Sequence, residues 1–270
     1  MPELPEVETS RRGISPHIVG KVFKNVIVRQ PKLRWPVPDN LADLLIGQNL
    51  KSVERRGKYL LLNCANGSLL LHLGMSGNLR ITNPEVAVGK HDHLDLVFAD
   101  DTVLRLNDPR KFGAALWAEQ PSQHPLLAVL GPEPLSADFS GEYLQQRAGS
   151  RRLPIKSLIM DSHIVVGVGN IYASESLFLA GLHPERPAGE IDLVAYQRLA
   201  TAIKTVLQKA IEQGGTTLRD FTNAEGKPGY FQQALRVYGR RDQACIDCGE
   251  PIQHLKIGQR ASYFCPVCQH

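Results

Sequence analysis

Short apolar segments alternate with turn-forming residues between positions 20 and 118 of the chain. Turn formers such as Asn66-Gly67 and Asp100-Asp101 separate the segments, which are rich in branched aliphatic residues. The segments read KVFKNVIVR, KYLLLNC, SLLLHLG, LDLVFA and TVLRL. Such short strands predict an antiparallel β-sandwich or barrel. Residues 5–13 predict a short helix before it, because proline suits a first helical position and glycine suits a helix end.

The periodicity becomes helical beyond a proline-containing stretch, LGPEPLSADF, at residues 130–139. In residues 192–213 apolar side chains recur at the spacing of three and four that marks one face of a helix. A second helix, NIYASESLFLAG, is predicted after the tight turn GVGN. We therefore predict an α+β fold. Its parts are a β-sandwich domain with an N-terminal helix at 1–130, a linker at 131–137, a helical domain at 138–235 and a cysteine-rich segment at 236–270.

Four of the five cysteines form the pattern C-x2-C-x16-C-x2-C near the end of the sequence. Within each pair both thiolates can reach one ion, and four thiolates complete a closed tetrahedral Zn²⁺ site. A segment of about 30 residues needs such a metal site to fold, because it cannot bury enough apolar surface alone. Two disulfides are the alternative, which suits an oxidising compartment. The structural zinc ligands would be Cys245, Cys248, Cys265 and Cys268, with a hairpin at 259–263 that presents Arg260 outward.

Composition and charge narrow the class of protein. The net charge of +4 permits a polyanionic partner such as nucleic acid. No apolar run approaches the roughly 18–20 residues of a membrane helix. The acidic N-terminus also lacks the apolar segment of a signal peptide. We therefore expect a cytoplasmic globular protein without a membrane partner.

Some patterns carry two interpretations. The turn GVGN lacks the full glycine pattern of a nucleotide-binding loop, but Asn170 at its end could bind a phosphate or simply cap the helix. His91 and His93 alternate with Asp92 in a strand-like segment, and we expect one of them to point inward and the other outward, so that they would not share a metal ion. By residue type alone, the core or rim residues of the β domain include Met75, Arg110 and Phe112.

The sequence begins MPELPEVET, with prolines and acids interleaved. A frayed leader is one interpretation, since chain ends tolerate change. The other follows from Pro2, which is small enough for Met1 to be removed and would then carry a secondary amine. Such an amine can attack an aldehyde-like carbon and form an iminium that stays cationic. Glu3 and Glu6 would supply an acid and a positioning group beside it.

A series of motifs spans the whole chain in a fixed order. The series comprises PELPEVET, HLGMSG (72–77), DPRKFG (108–113), VGVGNIYASE (166–175), GGTTLRDF (214–221), GKPGYF (226–231), VYGR (237–240) and the four cysteines. Together they resemble the formamidopyrimidine-DNA glycosylase family of bacterial base-excision enzymes. The resemblance implies a β-sandwich, a helical domain with a helix-two-turn-helix and a zinc finger, with damaged double-stranded DNA bound between the halves. It also implies a monomer with one structural zinc, no organic cofactor, and a place in the cytoplasm on the nucleoid.

The reaction that the resemblance implies is excision of oxidised purines, namely 8-oxoguanine and formamidopyrimidines, followed by β- and δ-elimination. Pro2 would attack C1′ as the nucleophile and Glu3 would act as the acid, with Glu6 in support. Lys58 would serve β-elimination and Arg260 δ-elimination, or both would clamp phosphates. Since an arginine donates a proton poorly, we favour the clamp for Arg260.

The resemblance assigns further residues to DNA contacts. The gap left by the flipped base would be filled by Met75, Arg110 and Phe112. Strand or phosphate contacts would come from His72, His91, Arg110, Arg151 and Asn170, and residues near the lesion would include Lys156, Lys227 and Tyr230. Ser76 stands where some family members have glutamate, so their mode of base reading does not transfer to this chain.

Two alternatives stay open at this point. The first is an endonuclease VIII-like glycosylase for oxidised pyrimidines, whose N-terminus usually reads PEGPE, whereas this chain has Leu4. The second is a non-catalytic, zinc-dependent DNA-binding protein of the same fold. Loss of the pair formed by Pro2 and Glu3 would mark that second class, and both residues are present.

Overall fold

The computed structural model describes residues 2–214 and 235–270. These residues fall into two compact units. The first unit holds the chain up to Ala128 together with residues 213 and 214, and the second holds Val129–Glu212 and residues 235–270. Among these described residues, no helix has the length and apolar character that crossing a membrane requires.

The first unit contains two four-stranded antiparallel sheets, which confirms the predicted β-sandwich. One sheet has the order β1-β6-β7-β5 and the other β2-β3-β4-β8. The strands are β1 (Phe23–Val28), β2 (Ser52–Arg56), β3 (Tyr59–Asn63), β4 (Ser68–His72), β5 (Asn78–Thr82), β6 (Asp92–Phe98), β7 (Val103–Asn107) and β8 (Ala114–Ala118). The helices are α1 (Leu4–Ile18), α2 (Leu41–Leu45) and α3 (Pro125–Ala128), with a 3-10 turn at Pro121–Gln123.

The core of this unit is built from strand residues of both sheets. Leu60 pairs with Leu71 and Leu62 with Leu69 in the register of β3 and β4, and all four are buried. Residues of β6 and β7 complete the same core, namely Leu94, Leu96, Phe98, Leu104 and Leu106. Burial of these side chains stabilises the sandwich through the hydrophobic effect.

Helix α1 extends beyond its predicted end. Gly13 was expected to close the helix, but the structure continues it to Ile18 with Pro16 inside it. Val7, Ile14 and Ile18 are buried in the core of the sandwich, so tertiary packing prolongs the helix past the glycine. As a result α1 is anchored along its length to the sheets.

The second unit is helical with a C-terminal hairpin. Its elements are α4 (Gly141–Ala148), α5 (Ile155–Met160), α6 (Asn170–Ala180), a 3-10 turn (Ala188–Glu190), α7 (Leu193–Glu212), β9 (Gln253–Ile257) and β10 (Arg260–Phe264). Helix α7 confirms the predicted periodicity, and Asp192 caps it by accepting a hydrogen bond from the Ala195 N–H at 2.7 Å. The hairpin of β9 and β10 follows the first cysteine pair, as expected.

Candidate active site

The start of α1 is ordered and buried, unlike a frayed leader. Pro2, Glu3 and Glu6 are all buried. The Glu3 N–H donates a hydrogen bond to Glu6 Oε2 at 2.8 Å, so Glu6 satisfies a backbone donor at the helix start. This bond fixes the backbone of Glu3 relative to the helix. The structure therefore holds Pro2 and Glu3 in a defined geometry.

Lys58 lies in the tight turn that joins β2 to β3. Arg56 pairs with Tyr59, so only Gly57 and Lys58 form the turn. Gly57 has a φ of 58°, the left-handed conformation that a two-residue hairpin requires at its first position and that glycine adopts without strain. The sequence thus places Lys58 at the tip of a tight two-residue hairpin.

His72 lies at the end of β4, opposite Tyr59 in the register and with ring centroids 4.8 Å apart. Its Nδ1 accepts a hydrogen bond from the Gly74 N–H at 3.0 Å, which places the proton of the neutral ring on Nε2. Burial lowers the pKa of His72 to about 4, and the charges of Lys58 and Arg34 act in the same direction. His72 is therefore a neutral donor beside a cationic lysine at neutral pH.

A prediction on pH dependence follows for His72. Between about pH 4 and 6.5 the unfolded chain holds a proton on this histidine and the folded chain does not, so stability rises with pH across that window and falls as acid is added. Replacement by glutamine removes this dependence. From pH 7 to pH 5, we expect wild type to lose about 2 kcal/mol more unfolding free energy than His72→Gln. Urea unfolding at both pH values measures this, and parallel losses in the two proteins would contradict it.

Two loops of the first unit meet backbone to backbone. A Cβ on Gly74 would lie 2.4 Å from the Phe112 carbonyl carbon, and one on Gly113 would lie 2.7 Å from the His72 carbonyl oxygen. Only glycine permits contacts this close. The loop 73–77 carries Met75 and the loop 108–113 carries Phe112, so the contact brings these two side chains to one place.

Asp108 organises the second of these loops. Its carboxylate is fully buried and accepts hydrogen bonds from the Gly113 N–H at 2.7 Å and the Arg110 N–H at 3.3 Å. Ser76 Oγ donates to the same carboxylate at 3.4 Å, which links the two loops. Sequence analysis gave Asp108 no role of its own. The signal was the aspartate at the head of a short loop that ends in glycine, where side chains often bond the backbone of a turn.

Exposed apolar and cationic side chains lie at the tips of these loops. Met75 is 37% exposed and Phe112 is 44% exposed, so both are rim residues of the unit. The Arg110 guanidinium carbon lies 4.9 Å from the centroid of the Phe112 ring, in a cation–π contact. An exposed aromatic ring with an arginine over it, on a loop whose backbone bonds to Asp108, is suited to insertion into a stack of bases.

The two neighbouring histidines have different surroundings. His93 is buried and its Nε2 lies 2.9 Å from the Asp108 carbonyl oxygen, whereas His91 is half-buried. Within residues 2–214 and 235–270, the metal-binding groups consist of one cluster, and it is formed by cysteines. The ring centroids of His91 and His93 lie 6.4 Å apart, so the expectation that the two side chains point to opposite faces is wrong. Residues two apart along a strand share a face, which is what brings the two rings together.

In the second unit, three predicted residues lie around β10. Asn170 Nδ2 donates to the Ala261 carbonyl oxygen at 3.0 Å. Lys156 is buried, and its ammonium donates to Ser262 Oγ at 2.7 Å and to the Ala261 oxygen at 3.2 Å. Arg260, next along the strand, is exposed. The contacts from α5 and α6 thus fix the strand that presents Arg260.

Asn170 does not cap α6. The N-cap residue is Gly169, and the Asn170 side chain bonds to the hairpin, so the capping interpretation is wrong. Arg151 is exposed just after α4. Lys227 and Tyr230, predicted to lie near the lesion, fall outside the described residues.

Glu175 was quoted only as part of a motif, but it has a distinct position. The carboxylate is buried on α6 and accepts three backbone N–H bonds, from Arg236, Val237 and Tyr238, at 2.8, 3.0 and 2.9 Å. Burial raises its pKa, although these bonds oppose the shift. Glu175 therefore anchors the segment that leads into the cysteine-rich region. Its partners lie more than 60 residues away, so no local pattern reveals them.

The four cysteines form a site that fits one metal ion. All four Sγ atoms lie within 4.8 Å of one another, with Cys245 to Cys268 at 4.0 Å and Cys248 to Cys265 at 3.5 Å. Tetrahedral zinc–sulfur bonds of about 2.3 Å place sulfur atoms about 3.8 Å apart, so the cluster matches zinc. One structural zinc is held here. All four positions are taken by protein ligands, and the ion has no place for a substrate.

The fold and these sites define a two-unit protein with an N-terminal β-sandwich and a four-cysteine zinc finger. Residues 1–115 match the formamidopyrimidine-DNA glycosylase N-terminal domain, residues 130–222 match its H2TH domain, and residues 242–270 match a zinc finger found in FPG and IleRS. The chain belongs to the formamidopyrimidine-DNA glycosylase family.

Relatives and solved structures agree with this assignment. The chain is 59% identical to the formamidopyrimidine-DNA glycosylase of Methylococcus capsulatus and 56% identical to that of Nitrosococcus oceani. Each alignment spans 100% of this chain and 100% of the relative. A Lactococcus lactis FPG variant in complex with Fapy-dG containing DNA matches with a TM-score of 0.93 at 34% identity, covering 100% of both chains. The MutM (FPG) protein of Thermus thermophilus matches with a TM-score of 0.89 at 37% identity, covering 99% of this chain and 98% of that one.

Proposed function

We propose that this chain is a bifunctional base-excision glycosylase and AP lyase that removes oxidised purines from duplex DNA. The observation that carries the proposal is the buried, hydrogen-bonded start of α1, which holds Pro2 and Glu3 in a fixed geometry. Membership of the family supports the reaction class. The Lactococcus lactis structure, with DNA that contains an opened purine, supports the substrate class.

In this proposal removal of Met1 gives Pro2 a secondary amine. The amine attacks C1′ of the damaged nucleotide, forming a nitrogen–carbon bond while the bond from C1′ to the base breaks and the base leaves with its electron pair. The nitrogen, now positively charged, loses its proton and the departing base takes one up, so that the nitrogen regains its lone pair. Glu3 then protonates the ring oxygen, so the deoxyribose opens and the new linkage becomes an iminium. Glu6 supports this step by holding the Glu3 backbone.

The iminium withdraws electrons and makes the C2′ protons acidic. Loss of one such proton expels the phosphate on the 3′ side, and a second elimination expels the phosphate on the 5′ side. Lys58, at the tip of its hairpin, would transfer protons in the first elimination. Arg260 would hold a phosphate in the second, because a guanidinium is too weak an acid to donate a proton readily.

The two contacting loops would fill the space left by the damaged base. A base inside a duplex must leave the stack before its sugar can be attacked. Phe112 would insert into the stack, Arg110 would meet the unpaired cytosine, and Met75 would occupy the vacated space. The exposure of Met75 and Phe112 and the backbone contact beneath them support this role.

Cationic and polar residues on each unit would bind the phosphates. These residues are His72, His91, Arg110, Arg151 and Asn170, and phosphate contacts would make the affinity fall with salt. Lys156, Lys227 and Tyr230 are the residues proposed to act near the lesion. Because Lys156 is buried against Ser262, it would act by holding the strand of Arg260. The enzyme would work as a monomer on the nucleoid in the cytoplasm.

The test is a comparison of two duplexes, one with 8-oxoguanine opposite cytosine and one with thymine glycol opposite adenine. We expect preferential cleavage of the 8-oxoguanine duplex and a covalent complex that borohydride traps. Preference for thymine glycol would indicate an endonuclease VIII-like enzyme. DNA binding without trapping on either duplex would indicate a non-catalytic binding protein.

A further inference from the structure

A buried carboxylate on α1 binds three arginines and takes no part in the chemistry described above. Glu8 Oε1 accepts hydrogen bonds from Arg11 Nη2 and Arg12 Nε, both at 2.8 Å. Glu8 Oε2 accepts from Arg11 Nε at 3.0 Å and from Arg55 Nε at 3.2 Å. Burial alone would raise the pKa of Glu8, but the hydrogen bonds from Arg11 and Arg12 outweigh it and lower the pKa to about 2. Glu8 is therefore ionised at any working pH.

One of these arginines connects Glu8 to the hairpin of Lys58. Arg55 lies on β2, 47 residues from Glu8 in sequence, and its Nη1 donates to the Gly57 carbonyl oxygen at 3.1 Å. That carbonyl belongs to the peptide that joins Gly57 to Lys58. Because a guanidinium is planar and its N–H groups are fixed relative to each other, the two bonds tie the position of this peptide to Glu8.

The cluster also fastens α1 to the same strand by a second bond. Arg11 Nη1 donates to the Val53 carbonyl oxygen of β2 at 3.3 Å. Helix α1 begins two residues after Pro2, and its start is held by Glu6. The helix that carries the nucleophile and the hairpin that carries Lys58 therefore share one ionic anchor.

We propose that Glu8 and Arg55 are positioning residues, which set the place of Lys58 relative to Pro2. This inference rests on the proposed function. Proton transfer and displacement depend steeply on the distance between reacting groups, and a shift of about 1 Å can cost up to 10²-fold in rate. Loosening the anchor moves the Lys58 turn and leaves the first turn of α1 with its own hydrogen bond.

The test compares two rates in single turnovers on 8-oxoguanine DNA, namely base release and strand cleavage. The Lys58→Gln variant serves as the reference, because it shows how the ratio of base release to strand cleavage changes when the lysine is lost. We expect Glu8→Gln to shift the ratio in the same direction as Lys58→Gln, by about 10-fold. A merely structural role would lower the fraction of active enzyme, which scales both rates equally. Borohydride trapping counts the active enzyme in each preparation.

Asp95→Asn is the matched control. Asp95 is also a buried carboxylate held by two arginines, Arg29 at 2.7 Å and Arg105 at 2.9 Å, but it lies in the other sheet of the sandwich. We expect Asp95→Asn to lower stability and to leave the ratio of rates at the wild-type value. If Glu8→Gln does not fold, Arg55→Lys is measured in its place, since the single flexible ammonium of lysine lacks the rigid planar fork that holds Glu8 and the Gly57 carbonyl oxygen at fixed positions.

The results distinguish failure of the positioning role from failure of the proposed function. A wild-type ratio in a folded Glu8→Gln or Arg55→Lys protein overturns the inference, as does an equal shift in Asp95→Asn. A wild-type protein that neither releases the base nor becomes trapped overturns the proposed function instead. A shifted ratio in Glu8→Gln and Arg55→Lys, with Asp95→Asn unchanged, supports the positioning role.

Discussion

A protein that carries extra residues before Pro2 is expected to form no borohydride-stable complex with 8-oxoguanine DNA. In that protein the Pro2 nitrogen is an amide, whose lone pair is delocalised and cannot attack C1′. Removing a catalytic nucleophile costs many orders of magnitude in other enzymes, so we expect base release to fall at least about 10³-fold. Gel shift under borohydride and single-turnover kinetics measure the two effects.

The matched control is the same preparation after a protease has removed the extension and left Pro2 first. Because Pro2 is buried, thermal unfolding of both forms must show that the extension leaves the fold intact. Intact mass defines the N-terminus of each sample. A trapped complex formed by the extended protein would show that another amine is the nucleophile, and Lys58 would be the first to test.

The strands of the sandwich could be predicted where their residues are also the apolar residues of the core. Leu60 and Leu62 pair with Leu71 and Leu69 within continuous runs of three leucines that are buried throughout. Such short aliphatic runs between turn formers are visible in the sequence, because the residues that form the strands also form the core. Strands β2, β5 and β8 were not named from the sequence. They read SVERR, NLRIT and AALWA; the first two are partly polar and the third is rich in alanine, which is uncommon in strands. Their pairing with neighbouring strands makes them strands.

The residues of the candidate site also fall into two groups, those that the sequence could identify and those that it could not. The cysteine spacing and the N-terminal motif carry their chemistry in residue type and local spacing, so sequence alone could single them out. The positions of Asp108, Glu175 and Glu8 depend on backbone groups and arginines that the fold brings to them. The bonds of Glu175 to residues 236–238 span more than 60 positions, and no periodicity encodes such a contact. Ionised or polar side chains buried in the fold are therefore what sequence patterns miss.

Cys265→Ser is expected to remove the zinc and unfold the hairpin of β9 and β10 with the cysteine pairs around it. The core around the cysteines is small and consists of Phe178, Val237, Cys245, Ile252 and Cys265. It cannot hold the hairpin alone, whereas structural zinc contributes about 10–16 kcal/mol in isolated zinc-finger peptides. Strand β10 would then no longer present Arg260. We expect loss of the bound zinc and a fall in DNA cleavage of at least about 10²-fold, because loss of a well-positioned charged contact costs that much or more.

Cys64→Ser is the matched control, because Cys64 is the fifth cysteine and lies outside the cluster. It is half-buried in the first unit, and burial raises the pKa of its thiol to about 11, so it is neither a ligand nor a reactive thiolate at neutral pH. Zinc content by native mass spectrometry and cleavage of 8-oxoguanine DNA should stay at wild-type values in Cys64→Ser. Chelation of wild type should reproduce the loss, and added zinc should reverse it. A Cys265→Ser protein that keeps one zinc and full cleavage would contradict this prediction, because Cys265 would then be dispensable for holding the ion and the hairpin.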